Sequence, residues 1–273
     1  MINTFSSNKL SNVDNSITVN SSTESIVLSS EPTIDEYNSL ALLYKSKKIN
    51  KKTIYFYEKA LSLRIEMEGE INTRTALAYI NLSEAYVTDG LISQAILSYE
   101  KVLKIYNELF GEDSIESSSV YSALANIFFL EKELDKALRL YVKALEIRKE
   151  LLGDLHPLTA RSYHELGFFY AAGEEYLLAL PLFEKALKTR VELFRNSHPE
   201  TATSYNSLAI CSYNLFQYDK AYAYLVEAIK IKELILPKRD ETLLVCRKNL
   251  AEIKRELSKS KRNSFFKRVF NFS

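Results

Sequence analysis

Two cysteines, Cys211 and Cys246, are all that the 273 residues contain. A pair cannot build the disulfide framework of a small secreted domain, so both thiols are expected to be reduced and simply packed. Six glycines leave little backbone for a phosphate cradle. No Gly-rich phosphate loop, Gly-x-Ser-x-Gly elbow or Cys-x-x-Cys pair occurs, which removes the usual motif-bearing enzyme classes. Of the three histidines, His156 and His198 stand 42 residues apart, which is no local chelating spacing. No apolar run approaches the roughly 18 residues needed to span a bilayer. A secretory leader would need a basic start and an apolar stretch of about 7–15 residues, and neither is present. The formal charge of +1 gives no global attraction to nucleic acid or membrane. These absences point to a soluble, cytoplasmic, non-catalytic chain without metal or cofactor.

What is present is repetition. Between Thr159 and Pro199 two helical patterns are joined by a short Gly-containing turn. Tyr163, Leu166, Gly167 and Tyr170 fall at i, i+3, i+4 and i+7, one stripe of a helix; Ala179, Leu182, Phe183, Ala186 and Leu187 form another. Shifting the chain by 42 residues aligns Leu166 with Leu40, Leu82, Leu124, Leu208 and Leu250. The same shift carries Gly167 onto Ala41, Ser83, Ala125, Ala209 and Ala251, and Ala179 onto Thr53, Ala95, Ala137 and Ala221. No insertion breaks the columns. One helix pair has too small a core to stand alone, so such units must stack.

These columns resemble the tetratricopeptide repeat, whose helix pairs carry an aromatic, a leucine, a small residue and a second aromatic before a small–aromatic–small series. The 42-residue period is similar to that of kinesin light chains and their bacterial relatives, as are the joint Gly153-Asp154-Leu155-His156-Pro157-Leu158-Thr159-Ala160 and the run Ala179-Leu180-Pro181-Leu182-Phe183. The resemblance implies an all-α, right-handed superhelical solenoid of antiparallel helix pairs, but no particular partner, since unrelated functions share that scaffold.

The chain is therefore divided as follows. Residues 1–32 form a polar lead expected to be disordered, 17 of its first 30 residues being Ser, Thr or Asn. Five repeats occupy 33–72, 73–114, 115–156, 157–198 and 199–240. The first repeat is the most degraded, with the basic turn Lys47 to Lys52 where the second has Asp89-Gly90, and reads as a solvated cap. Pro157 and Pro199 suit first-turn positions, where the missing N–H costs nothing, whereas Pro181 lies inside a helix and should bend it. A capping helix spans 241–257, and a basic aromatic tail 258–273.

At 100° per residue, Arg161, His164, Phe168 and Ala171 centre opposite the core stripe of their helix. The equivalent residues are Ser119, Ser122, Asn126 and Phe129 one repeat earlier, and Thr203, Asn206, Ile210 and Tyr213 one repeat later. The resemblance places this stripe on the concave wall, where peptides bind. Phe129, Phe168 and Tyr213 beside asparagines and Arg161 then read as a site for a peptide or protein partner: rings supply area and amides bond the main chain. The alternative, that these rings only fill gaps between adjacent helices, stays open here. In the tail, Lys261, Arg262, Lys267 and Arg268 accompany Phe265, Phe266 and Phe270. Such a segment can contact an acidic membrane or a partner, or cap the last repeat. A convex face docking an enzyme is a further alternative. Nothing in the pattern specifies the partner's identity or an oligomeric state.

Overall fold

The computed structural model describes the backbone of residues 32–270 and the side chains of 32–262 other than Asn196. The polar lead lies outside the described residues except for Pro32, and the side chains of Phe265, Phe266, Lys267, Arg268 and Phe270 lie outside them too.

Among the described residues there are eleven α-helices, one short 3-10 turn (Arg195–Ser197) and no strand. The helices are α1 (Ile34–Ser46), α2 (Asn50–Glu68), α3 (Thr73–Thr88), α4 (Ile92–Phe110), α5 (Ile115–Leu130) and α6 (Leu134–Leu152). They continue with α7 (Pro157–Ala172), α8 (Tyr176–Phe194), α9 (Pro199–Asn214), α10 (Tyr218–Ile235) and α11 (Glu241–Phe270). The odd helices α3 to α9 each have 16 residues and the even helices α2 to α8 each have 19, so the 42-residue register holds from element to element.

The periodicity extends to the joints. Each first helix from α3 onward is preceded by a polar N-cap, at Asn72, Ser114, His156, His198 and Asp240. His156 and His198 cap through Nδ1, which accepts the Leu158 and Glu200 amides at 3.2 Å each. The His-Pro joint is thereby explained: the imidazole satisfies one orphan amide and the proline occupies a position that needs none. Both turns of each of the first four repeats, and the inner turn of the fifth, pass through positive φ. Between paired helices the column is Lys48, Gly90, Lys132, Glu174 and Phe216; between repeats it is Gly69, Gly111, Gly153 and Arg195. The basic first turn thus has the same backbone as its glycine-bearing neighbour, and Lys47 and Lys48 are solvent-exposed.

The chain divides into two compact units, residues 1–98 and 99–273; α1, α2 and α3 pack consecutively in the first, and the helices from α5 to α11 do so in the second. In the first unit, α1, α2 and α3 close around Leu40, Tyr44, Phe56, Tyr57 and Leu82. In the second, three clusters take their last members from the next first helix. Ala125, Ala137 and Tyr141 are closed by Leu166 of α7, and Ala179 and Phe183 by Leu208 and Cys211 of α9. Leu243, Cys246 and Ile253 of α11 close Ala221, Leu225 and Ala228 of α10. Both cysteines are free and buried there. The α8 helix is continuous through Pro181; the carbonyl that loses its amide partner is that of Leu177, an exposed residue that water can reach. The α11 helix does not break near Lys259 either. No glycine or proline falls between Glu241 and Phe270, so the expected cap and the start of the tail form one helix.

Two substitutions test this account. A Cβ on Gly167 would lie 2.9 Å from Cε1 of Phe183, a ring only 2% exposed with nowhere to move. Gly167→Ala should therefore destabilise by about 1–3 kcal/mol despite the better helix propensity of alanine, and adding Phe183→Leu should restore much of the loss. Urea titration of the two variants decides it; a stabilised single variant would show that the ring gives way. Arg195 sits at φ 61°, ψ −167°, a region essentially reserved for glycine, in the column that holds Gly69, Gly111 and Gly153. Arg195→Gly should raise stability by about 1 kcal/mol or more in the same titration.

Candidate peptide-binding face

The expected stripe runs along α5, α7 and α9 and is not uniformly open. At one register position stand Asn126, Phe168 and Ile210; all three are exposed, Phe168 by 54% and Ile210 by 46%. Phe129 is half-buried and meets Phe168 edge-on at 5.9 Å between ring centroids, and Phe169 at the same distance. It supports the exposed ring rather than serving as a second open contact. Tyr213 does not extend the series, because its ring packs at 5.6 Å against Tyr218 at the start of α10. Ala171 is half-buried against the cluster of Ala179 and Phe183.

The polar members are partly committed. Asn126 accepts the hydroxyl of Tyr141, and Thr203 donates to the Pro199 carbonyl at 3.1 Å. Ser119 accepts from Nη2 of Arg148 at 3.4 Å, whereas the hydroxyl of Ser122 is buried with no partner among the described residues. Arg161 lies 3.4 Å from Glu165 one turn on, so its charge is half answered within the helix. His164 is drawn inward: its ring tilts on Phe183 at 5.1 Å, and Nε2 lies 3.1 Å from the Ser207 hydroxyl. Burial, with the Arg190 guanidinium adding to it, pushes this imidazole down to about 4, so at neutral pH it is an uncharged spacer.

Behind the stripe runs a ladder that the sequence reading passed over. Arg148 is only 2% exposed and ties three helices together; Nε donates to Ser118 Oγ on α5 at 3.0 Å and Nη1 to Ser162 Oγ on α7 at 2.7 Å. One repeat later Arg190, 4% exposed, donates to Ser204 Oγ at 2.6 Å and lies 3.2 Å from Glu200. One repeat later again Lys232 donates to Cys246 Sγ at 3.4 Å. In each case the partner stands fourteen residues beyond the cation. That spacing is legible in the sequence, but charged residues on helices read there as solvated faces.

At its far end the stripe opens into a cavity of about 190 Å³ between α9 and α11. Asn206, Ile210 and Tyr213 line one side, as parts of the expected wall. Leu225 forms part of the floor from α10, and Asn249, Glu252 and Ile253 of α11 supply the opposite side. These α11 residues were missed because the stripe was ended at the fifth repeat. Continuing the register by 42 carries Ile210 onto Glu252. Farther along α11, Lys261 lies 3.2 Å from Asp219 and Arg262 is exposed. Among the described residues no helix is long and apolar enough to cross a membrane, and no group of three His, Cys, Asp or Glu side chains gathers to hold a metal.

Stacked helix pairs with a small–aromatic core, left-handed turns at fixed spacing and capped first helices define a repeat of the tetratricopeptide class. The chain belongs to the tetratricopeptide repeat family: models of that repeat match residues 75–116, 116–190 and 162–234. Several solved structures share the fold. BtubC (BKLC) from P. vanneervenii is 24% identical over 76% of this chain and 84% of its own, with a TM-score of 0.66. A putative kinesin light chain from Podosopora anserina with nearly identical repeats is 20% identical over 73% of this chain and 94% of its own, with a TM-score of 0.61. Aspartyl phosphate phosphatase F from Bacillus subtilis is 19% identical over 85% of this chain, with a TM-score of 0.69, and the match takes in 57% of that protein. No curated protein matches the chain by sequence.

The half-buried imidazole of His164 sets an acid limit on this face. Its proton affinity is lower in the fold than in the unfolded chain, so the unfolded state binds the extra proton between the ordinary histidine value and about 4. Stability linked to His164 is complete above that window and falls as pH drops through it. Between pH 7 and pH 4.5 the wild type should lose about 2 kcal/mol more than His164→Gln does. Urea titrations of both proteins at the two pH values check this; equal losses would mean that the ring is solvated.

Proposed function

We propose that this protein is a non-catalytic scaffold that holds an extended segment of a protein partner across α5, α7 and α9. The observation that carries the reading is the exposure of Phe168 and Ile210 at one register position of adjacent first helices. Their neighbours Asn126, Ser119 and Thr203 are polar and solvent-facing. A large ring already braced from behind by Phe129 loses little freedom on contact, which is the character of an interface anchor. Amide and hydroxyl groups beside it can pair with the main chain of a bound strand. A core reading of these side chains is disfavoured by their exposure, and the supporting ring of Phe129 already closes the space beneath Phe168.

The test is a selection of binding peptides from a random displayed library against the full chain, followed by calorimetry. Phe168→Ala together with Ile210→Ala should weaken the selected peptides by about a thousandfold, two anchors of about 2 kcal/mol each. Leu177→Ala, a change at a still more exposed apolar side chain on α8, should leave affinity alone. Undiminished binding by the double variant with an unshifted melting temperature would move the site elsewhere. A collapse of the melting temperature would mean that these side chains belong to the core.

A further inference from the structure

The cavity between α9 and α11 combines an apolar body with a single kind of charge. Ile210, Leu225 and Ile253 contribute aliphatic wall, while Asn206 and Asn249 offer amides. Glu252 is the one ionised side chain that lines it, and among the described residues no lysine or arginine does. The volume of about 190 Å³ exceeds the roughly 150 Å³ of an apolar cavity that admits a benzene ring, so a long side chain can enter whole. The Glu252 carboxylate is only loosely answered: Arg255, on the same helix, approaches it at 3.6 Å with both side chains at least half exposed. Such a surface pair contributes little and is readily exchanged. Negative charge is felt inside the recess as well. Burial raises the Tyr213 hydroxyl, Glu252 and Glu256 raise it further, and Arg255 only partly opposes them.

We infer that this cavity is a subsite for a lysine or arginine side chain of the bound segment. Its methylene stem would lie along Ile210, Leu225 and Ile253, and its cationic head would meet Glu252 and the asparagine carbonyl oxygens. Lysine and arginine suit this shape because they bury the stem while the charged end stays at the polar rim. A purely apolar side chain would leave Glu252 and the amides facing it without partners, and an acidic one would meet like charge. The inference rests on the α5, α7 and α9 reading for its direction, because the cavity shares Asn206, Ile210 and Tyr213 with that wall. It gives the partner a polarity: apolar residues over Phe168, and a basic residue toward α11.

The probes are three blocked amino acids, the Nα-acetyl methylamides of lysine, arginine and norleucine, titrated into the full chain and followed by two-dimensional amide spectra. Shifts should map to Ile210, Asn249 and their neighbours. The two cationic probes should bind at least about tenfold more tightly than norleucine, which has lysine's four-carbon stem without the charge. Glu252→Gln should remove that preference while leaving norleucine unaffected, and Arg255→Gln should strengthen the cationic probes by freeing the carboxylate. Equal binding of all three probes, a preference that survives Glu252→Gln, or shifts confined to other regions would each overturn the assignment. Library peptides that depend on Phe168 but ignore Glu252→Gln would sink the subsite and leave the scaffold standing. Probes that behave as expected beside peptides indifferent to Phe168 would do the reverse.

Discussion

Helices can cross closely only where the side chain at the crossing is very small, and small side chains recur at the same positions from repeat to repeat. Ala137, Ala179 and Ala221 are wholly buried, as are Ala144, Ala186 and Ala228. At Gly167 even a methyl group is absent, because the Phe183 ring takes the space where it would sit. A pair packed this tightly still leaves one side of its core uncovered. In the second unit that side is covered by the next first helix, by Leu166, then Leu208, then Leu243 with Ile253. An extra residue inside a first helix, ahead of its covering leucine, would rotate that leucine by about 100° away from the core it completes.

The same geometry explains cations in the interior. A guanidinium without partners would be very costly where Arg148 and Arg190 lie, yet each finds hydroxyl or carbonyl oxygens on a helix of the following repeat. Serines at these places look ordinary on a helix until the long side chain from the preceding repeat is seen to reach them. Burial lowers the proton affinity of both guanidiniums, but arginine stays charged, so the bonds are those of a fixed cation. These cross-ties hold the first helices in place and so set the spacing of the residues that they present.

That spacing matters for the exposed stripe. Phe168 and Ile210 are held apart by packing that has nothing to do with any ligand, which is how a rigid scaffold offers contacts at low entropic cost. The recess toward α11 adds a carboxylate and amides to an otherwise aromatic and aliphatic strip, and so gives the face a direction. Similar folds occur in proteins with quite different names, as expected when function resides in a few exposed side chains rather than in the repeat.

The sequence by itself determined the helix pairs, their 42-residue register and the family, because small and aromatic residues recur wherever adjacent helices must interlock. It also singled out Phe168, since a core stripe at helical spacing defines its own opposite face. It could not show that Tyr213 turns to Tyr218, that His164 is drawn against Phe183, or that Arg161 is held by Glu165. Periodicity gives the direction of a side chain but not the neighbours that capture it. Nor did it disclose the buried Arg148, whose partners stand on helices before and after it, or the cavity between α9 and α11. Those exist only once helices distant in sequence are placed side by side, and the tertiary packing alone decides which of their side chains meet.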